Sequence, residues 1–155
     1  MGIVSDRVQE LKTMCTPPTV SEPMYMGNTA WIAEKLLDAG ILNEGMHHKA
    51  LDSKYWCCSR LDFDAIIKWD LTNNKRYVSE KYDCDNFAFS FKARMDRRFH
   101  LNNVGLVVDY SGGHAYNCVV FSDGTAELFE PQGDRFPVMN KTRGLYRCES
   151  GFIVI

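Results

Sequence analysis

The spacing of apolar residues changes partway along this 155-residue chain. IVSDRVQELKTM (3–14) puts Val4, Val8 and Leu11 on one face, which predicts a short helix. TPPTVSEP (16–23) holds three of the five prolines and reads as an extended connector. Asn28 is placed to cap a helix running through Asp38, with Trp31, Ile32, Leu36 and Leu37 apolar and Gly40 closing it. Residues 43–60 fit no single period. Asp62 is a candidate cap for a short helix over 63–70 carrying Phe63, Ile66, Ile67 and Trp69, and LTNNKRY after it reads as a turn or loop. From Cys84 to Arg98, Phe87, Ala88, Phe91 and Met95 recur at helical spacing. The remainder is strand-like: VGLVVDYS, HAYNCVVF, TAELFE and SGFIVI, broken by SGG, SDG and a polar segment. Helices first and strands afterwards predict an α+β fold. The expected division of a single domain, 1–155, is a helical lobe over 1–75, then a helix packed on an antiparallel sheet over 76–155.

Composition narrows the function classes. A net charge of −2 and one basic cluster, RMDRRFH, interrupted by Asp96, argue against nucleic-acid binding through phosphate neutralisation. No apolar run approaches the ~20 residues of a membrane span. MGIVSDRVQE lacks the basic and apolar regions of a secretory signal, and Asp6 breaks the myristoylation pattern. Six cysteines allow three bridges, but Cys57 and Cys58 are adjacent and Cys118 falls within a strand. That placement predicts reduced thiols and a cytoplasmic protein.

One constellation has the parts of nucleophilic catalysis, which needs a thiolate, a base and a group that orients the base. Cys84 opens a helix, where unpaired amides and the helix dipole favour a thiolate. His114 follows SGG and starts a strand. Glu130 ends the partner strand, in LFEPQGD. Whether His114 and Glu130 meet depends on the turn between them. A three-residue loop with Gly124 in the left-handed conformation pairs Phe121 with Thr125, sets Tyr116 opposite Glu130, and leaves His114 diagonal to Glu130 on the same face. A two-residue Asp-Gly loop turns Glu130 to the other face. The catalytic reading requires the first. Against it stand plain alternatives, a packed cysteine, a structural histidine and a surface carboxylate.

YDCDNFA, VDYSGGHAYNCVVFSDG and FEPQGD together resemble the papain-like cysteine-protease module of the Marasmius oreades agglutinin C-terminal type, found also in short phage and bacterial agglutinin-related proteins. The match covers about residues 76–136; the earlier part matches loosely, as a helical lobe. The resemblance implies a papain-like peptidase or amidase acting on a peptide or protein substrate, with Cys84 as nucleophile, His114 as base and Glu130 as orienting acid. It further implies calcium, or another divalent cation, held by oxygens of Asp85, Asn86, Gln132 and Asp134. The plain alternative for Asp85 and Asn86 is that they merely occupy the first helical turn, where acids are favoured. The Cys84 amide is the natural first oxyanion donor, and Tyr77, Asn73 and Asn74 are candidates for the second. No sugar-binding trefoil precedes the matching segment, so a lectin role does not carry over.

His47, His48, Cys57 and Cys58 are a weaker signal, because zinc sites favour ligands two to four residues apart and adjacent side chains diverge. SGG lacks the lysine and helix of a phosphate loop and reads as room for the backbone to pass close to the Cys84 helix. Tyr116 and Phe129 read as core or pocket wall. Two rival functions remain at this stage. One is a transglutaminase-like or cell-wall amidase enzyme with the same Cys-His-acid order. The other is a non-catalytic phage or bacterial binding protein that keeps the fold.

Overall fold

The computed structural model describes residues 16–155. The helix expected over 3–14, and Cys15, lie outside the described residues. The elements run β1 (Met24–Gly27), α1 (Thr29–Asp38), β2 (Met46–Lys49), β3 (Tyr55–Cys57), α2 (Arg60–Trp69), α3 (Cys84–Phe99), β4 (Val104–Asp109), β5 (His114–Val120), β6 (Ala126–Phe129) and β7 (Gly151–Val154). Among the described residues no helix is long and apolar enough to cross a membrane.

The α+β reading holds: three helices pack on a five-stranded sheet of order β2-β7-β4-β5-β6. The sheet is mixed rather than wholly antiparallel. β2 adds in parallel to β7, with Met46 opposite Gly151 and Lys49 opposite Val154, while the other pairs are antiparallel. MHHK is short and polar, and its strand conformation comes from the free edge of β7 rather than from its own residues. β1 and β3 form a separate two-stranded ribbon, so the part expected as a helical lobe carries strands as well as α1 and α2.

Alternation along β5 sends successive side chains to two cores. Tyr116, Cys118 and Val120 meet Ile32 and Leu36 of α1, while Val119 and Phe121 meet Phe63, Phe91 and Met95 of α2 and α3. Asn28 caps α1 as expected, its side-chain oxygen accepting from the N–H groups of Ala30 and Trp31 at 3.0 and 3.1 Å. The cap of α2 is corrected. The helix begins three residues before the expected start, and its cap is Ser59, whose hydroxyl accepts from the Asp62 N–H at 3.1 Å and donates to Asp62 Oδ2 at 2.9 Å. Ser-x-x-Asp is a reciprocal capping pair, so Asp62 serves in the first turn.

Phe63 is the aromatic hinge of the α2–α3 side. Its ring centroid lies 5.4 Å from Phe129, 5.6 Å from Phe121 and 5.9 Å from Phe91, all close to edge-to-face. Because the side chain is fully buried, Phe63→Ala should lower unfolding free energy by about 3–5 kcal/mol in chemical denaturation, the usual loss for an emptied aromatic site. A loss under about 1 kcal/mol would contradict this packing.

Candidate active site

Three segments converge at one end of the sheet. Asn117 of β5 donates to the Ala88 carbonyl of α3 at 3.0 Å, and Lys92, one turn further on, donates to the Val104 carbonyl, whose strand partner is Val119. The helix and β5 therefore advance in the same direction, and Cys84 and His114, each the first residue of its element, stand at the same end. Cys84 also shares the angular position of Phe87, Ala88, Phe91 and Met95, the face that α3 turns to the sheet.

The hairpin takes the register with the three-residue turn. Phe121 N–H donates to Thr125 at 2.8 Å, Gly124 N–H donates back to Phe121 at 2.9 Å, and Gly124 has φ +84°. The ladder continues through Val120–Ala126 to Asn117–Phe129. Glu130 consequently lands on the His114 face, and His114 Nε2 lies 2.7 Å from Glu130 Oε2. Glu130 is only 3% exposed, and both of its carboxylate oxygens accept hydrogen bonds. Oε2 also accepts from the Tyr146 hydroxyl at 2.7 Å, and Oε1 accepts from the Gln132 N–H at 3.1 Å. Burial pushes this carboxyl up, but the hydrogen bonds from His114, Tyr146 and Gln132 outweigh burial and hold it below the usual range.

Tyr146 was not visible as a site residue, since it sits in an irregular segment well beyond the motif that carries His114. Its ring lies 5.6 Å from His114 and 5.0 Å from Tyr116, and its hydroxyl accepts from Arg135 Nη2 at 3.0 Å. Burial first, and the hydrogen bond to the Glu130 carboxylate second, push its hydroxyl up, so it remains a donor.

Asp109 was also missed, although its role is the larger. This fully buried carboxylate accepts from Ser111 Oγ, the Gly112 N–H, the Tyr116 hydroxyl and the N–H groups of Arg147 and Cys148, at 2.5 to 2.9 Å. It joins the loop before His114 to the segment that presents Tyr146. Burial opposes its ionisation, but the bonds from Cys148, Ser111, Tyr116 and Gly112 win and hold the carboxyl below its ordinary value of 3.8. SGG is accordingly placed differently from expectation. A side chain on Gly112 would meet the Leu145 carbonyl at 2.1 Å, so the glycine allows close approach to the 145–148 segment, not to the Cys84 helix.

Hydrogen bonding joins His114 to Glu130 and, among the described residues, does not join either to Cys84, which is half-buried and free. Tyr77 lies within electrostatic reach of the Cys84 sulfur. Asn73 instead donates to Asp134 Oδ2 at 2.6 Å, and Asn74 is exposed at the end of a short 3₁₀ turn, Thr72–Asn74. Asp85 and Asn86 serve the start of α3. Asn86 Oδ1 accepts from the Asp83 N–H at 3.0 Å, and Asp85 Oδ1 accepts from the Asn86 N–H at 2.9 Å. Gln132 and Asp134 lie in the turn after Glu130, where Asp134 Oδ1 is buried without a partner. Among the described residues no three His, Cys, Asp or Glu side chains form a metal cage. His48 and Cys57 occupy strands of different sheets, and burial pushes the Cys57 and Cys58 thiols up to about 12.

A family profile described as the ricin-type beta-trefoil lectin C-terminal domain matches residues 28–146. Among solved structures, a PSL1a–E64 complex superimposes with a TM-score of 0.65 at 23% identity, covering 83% of this chain and 50% of that one. A Polyporus squamosus lectin bound to the human-type influenza-binding epitope Neu5Acα2-6Galβ1-4GlcNAc gives a TM-score of 0.63 at 22% identity, covering 83% and 49%. The chain thus spans about half the length of these two structures, and at this identity the likeness is one of fold. No curated protein matches.

Replacing Asp109 tests the scaffold of the site. Its carboxylate is held below 3.8, so its contribution to stability is fully present above that value and is lost as pH falls below it. Asp109→Asn should lower unfolding free energy at pH 7 by at least about 1–3 kcal/mol, the scale for a broken buried hydrogen bond. The gap between variant and wild type should narrow at about pH 3. An equal gap at both pH values would contradict this account.

Proposed function

This chain belongs to the family of ricin-type beta-trefoil lectin C-terminal domains, and we propose that it is a papain-like cysteine peptidase or amidase. The observation that carries the reading is the His114–Glu130 hydrogen bond, made possible by a hairpin register that puts both at the end of the sheet where α3 begins with Cys84. The neighbouring PSL1a structure is a complex with E64, a cysteine-protease inhibitor, which supports the same chemistry.

In the proposed reaction the Cys84 thiolate attacks an amide carbonyl carbon, forming a C–S bond. With Nε2 facing Glu130, Nδ1 is the ring nitrogen left for proton transfer. His114 gives its proton to the leaving nitrogen as the C–N bond breaks. Water then attacks the thioester and surrenders a proton to His114, and the C–S bond breaks to release the acid and restore the thiolate. Glu130, fixed by the Tyr146 hydroxyl and the Gln132 N–H, keeps the imidazole in one orientation and tautomer. The Cys84 N–H is the first candidate for the oxyanion, and Tyr77, near the sulfur, is favoured over Asn73, whose amide is bonded to Asp134.

A divalent cation such as calcium belongs to the same proposal. The hard oxygen donors of Asp134 and Gln132 would hold it in the turn after Glu130, with Asp85 and Asn86 as candidates at the helix start. The partnerless, buried Asp134 Oδ1 fits such an ion. The cation would supply charge neutralisation for Asp134, whose carboxyl burial, aided by nearby Asp70, pushes up to about 6.

E64 should add one inhibitor mass to the wild-type protein, mapped by peptide mass spectrometry to Cys84, and none to Cys84→Ser. Unlabelled Cys84 together with no hydrolysis of a denatured protein substrate would remove the peptidase reading. The metal has its own test. An acid held at about 6 in the fold favours the folded state on protonation, so metal-free protein should gain stability as pH falls from above 6 toward 4. Calcium at neutral pH should raise the melting temperature of wild type but not of Asp134→Asn. Equal calcium responses would refute a site at Asp134.

A further inference from the structure

Beside His114 lies a cavity of about 250 Å³, whose walls include Gln132, Gly133, Arg135, Leu145 and Tyr146. We propose that this cavity receives the leaving-group side of the substrate, and that Arg135 selects a carboxylate there. The proposal rests on the hydrolase reading, and it names a substrate class for that site.

His114 must reach the leaving nitrogen, so the departing fragment lies against the His114 ring, and the ring forms one wall of this cavity. Arg135 is placed there by the backbone. Glu130 N–H donates to the Arg135 carbonyl at 2.8 Å across a tight turn, and Arg135 N–H approaches the Glu130 carbonyl at 3.4 Å. In such an antiparallel bridge the two side chains project to the same side. The guanidinium therefore stands over the end of the sheet that carries His114.

The charge of the cavity is one-sided. Glu130, the carboxylate in its wall, is buried and already accepts from His114, Tyr146 and Gln132. Arg135 is exposed, its hydrogen bond goes to the neutral Tyr146 hydroxyl through Nη2, and among the described residues it has no carboxylate partner. The remaining guanidinium N–H groups form a fork that matches a carboxylate. Gly133 is exposed beside the guanidinium, and even a methyl there would make only ordinary contact with Arg135 Nε, at 3.5 Å. Leu145, about half exposed, offers an apolar flank for the chain that carries the anion. The anion has two possible sources, an Asp or Glu side chain after the scissile bond, or the free C-terminus of a peptide.

Four internally quenched peptides test this, differing only beyond the scissile bond: Glu, Ala or Lys in an amidated peptide, and Ala with a free C-terminal carboxylate. Wild type should show kcat/KM about tenfold or more higher for Glu than for Lys, the scale of one charge-assisted hydrogen bond. Arg135→Glu should reverse that order, and Arg135→Lys should keep its direction. A gain on the free-carboxylate peptide assigns the anion to the C-terminus, and a gain on Glu alone assigns it to a side chain. Cleavage without charge preference, or a preference unmoved by Arg135→Glu, overturns the proposal while leaving the hydrolase reading intact. If no peptide is cleaved, E64 labelling of Cys84 and hydrolysis of a denatured protein decide the hydrolase reading. Binding of the same peptides to Cys84→Ser, by fluorescence anisotropy, then decides on the cavity alone: tighter binding of the anionic peptides supports it, and equal binding overturns it.

Discussion

The turn at Ser122, Asp123 and Gly124 determines on which face of the sheet Glu130 emerges. Side chains alternate along a strand, so one residue more or less in that turn would move Glu130 from His114 to the opposite core. With Gly124 in the left-handed region, the ladder runs unbroken to Asn117–Phe129, and the next residue after it is the carboxylate. The 2.7 Å contact between His114 and Glu130 is the result. Everything proposed for the site, from imidazole orientation to the position of Arg135, depends on it.

Two kinds of force hold that end of the sheet. On the α3 side the hold is apolar: Phe63, Phe91, Phe121 and Phe129 lock α2 and α3 onto β5 and β6. On the other side it is polar. Asp109 gathers donors from both the loop that precedes His114 and the 147–148 segment, so one carboxylate ties together the two loops flanking the candidate base. A buried carboxylate with this many donors gives the loops a unique arrangement, because any alternative leaves it unpaired. Tyr146 then extends the arrangement to the outer lone pair of Glu130.

Much of this could be read from residue order. The helix from Cys84, the strand from His114 and the cap at Asn28 follow from local period and side-chain chemistry, and the family resemblance pointed to the lectin C-terminal domain that residues 28–146 match. What could not be read has a common cause, dependence on distant partners. β2 is a strand because β7 has a free edge, and MHHK carries no strand signal of its own. Asp109 looks like an ordinary strand-end acid until residues 147 and 148 fold back onto it. Tyr146 lies in a stretch without period, and Ser59 was hidden within a segment of mixed pattern. The register itself stood as two alternatives, since Asp-Gly supports either loop length.

The central claim is that this register makes His114, held by Glu130, the base that serves Cys84. The rate of Cys84 alkylation by iodoacetamide, measured against pH in wild type, His114→Ala and Glu130→Gln, tests it most directly. The account predicts that wild-type Cys84 reacts faster than free cysteine at pH 6, that His114→Ala abolishes the difference, and that Glu130→Gln diminishes it. A Cys84 that reacts no faster than free cysteine, and at the same rate in all three proteins, would contradict it.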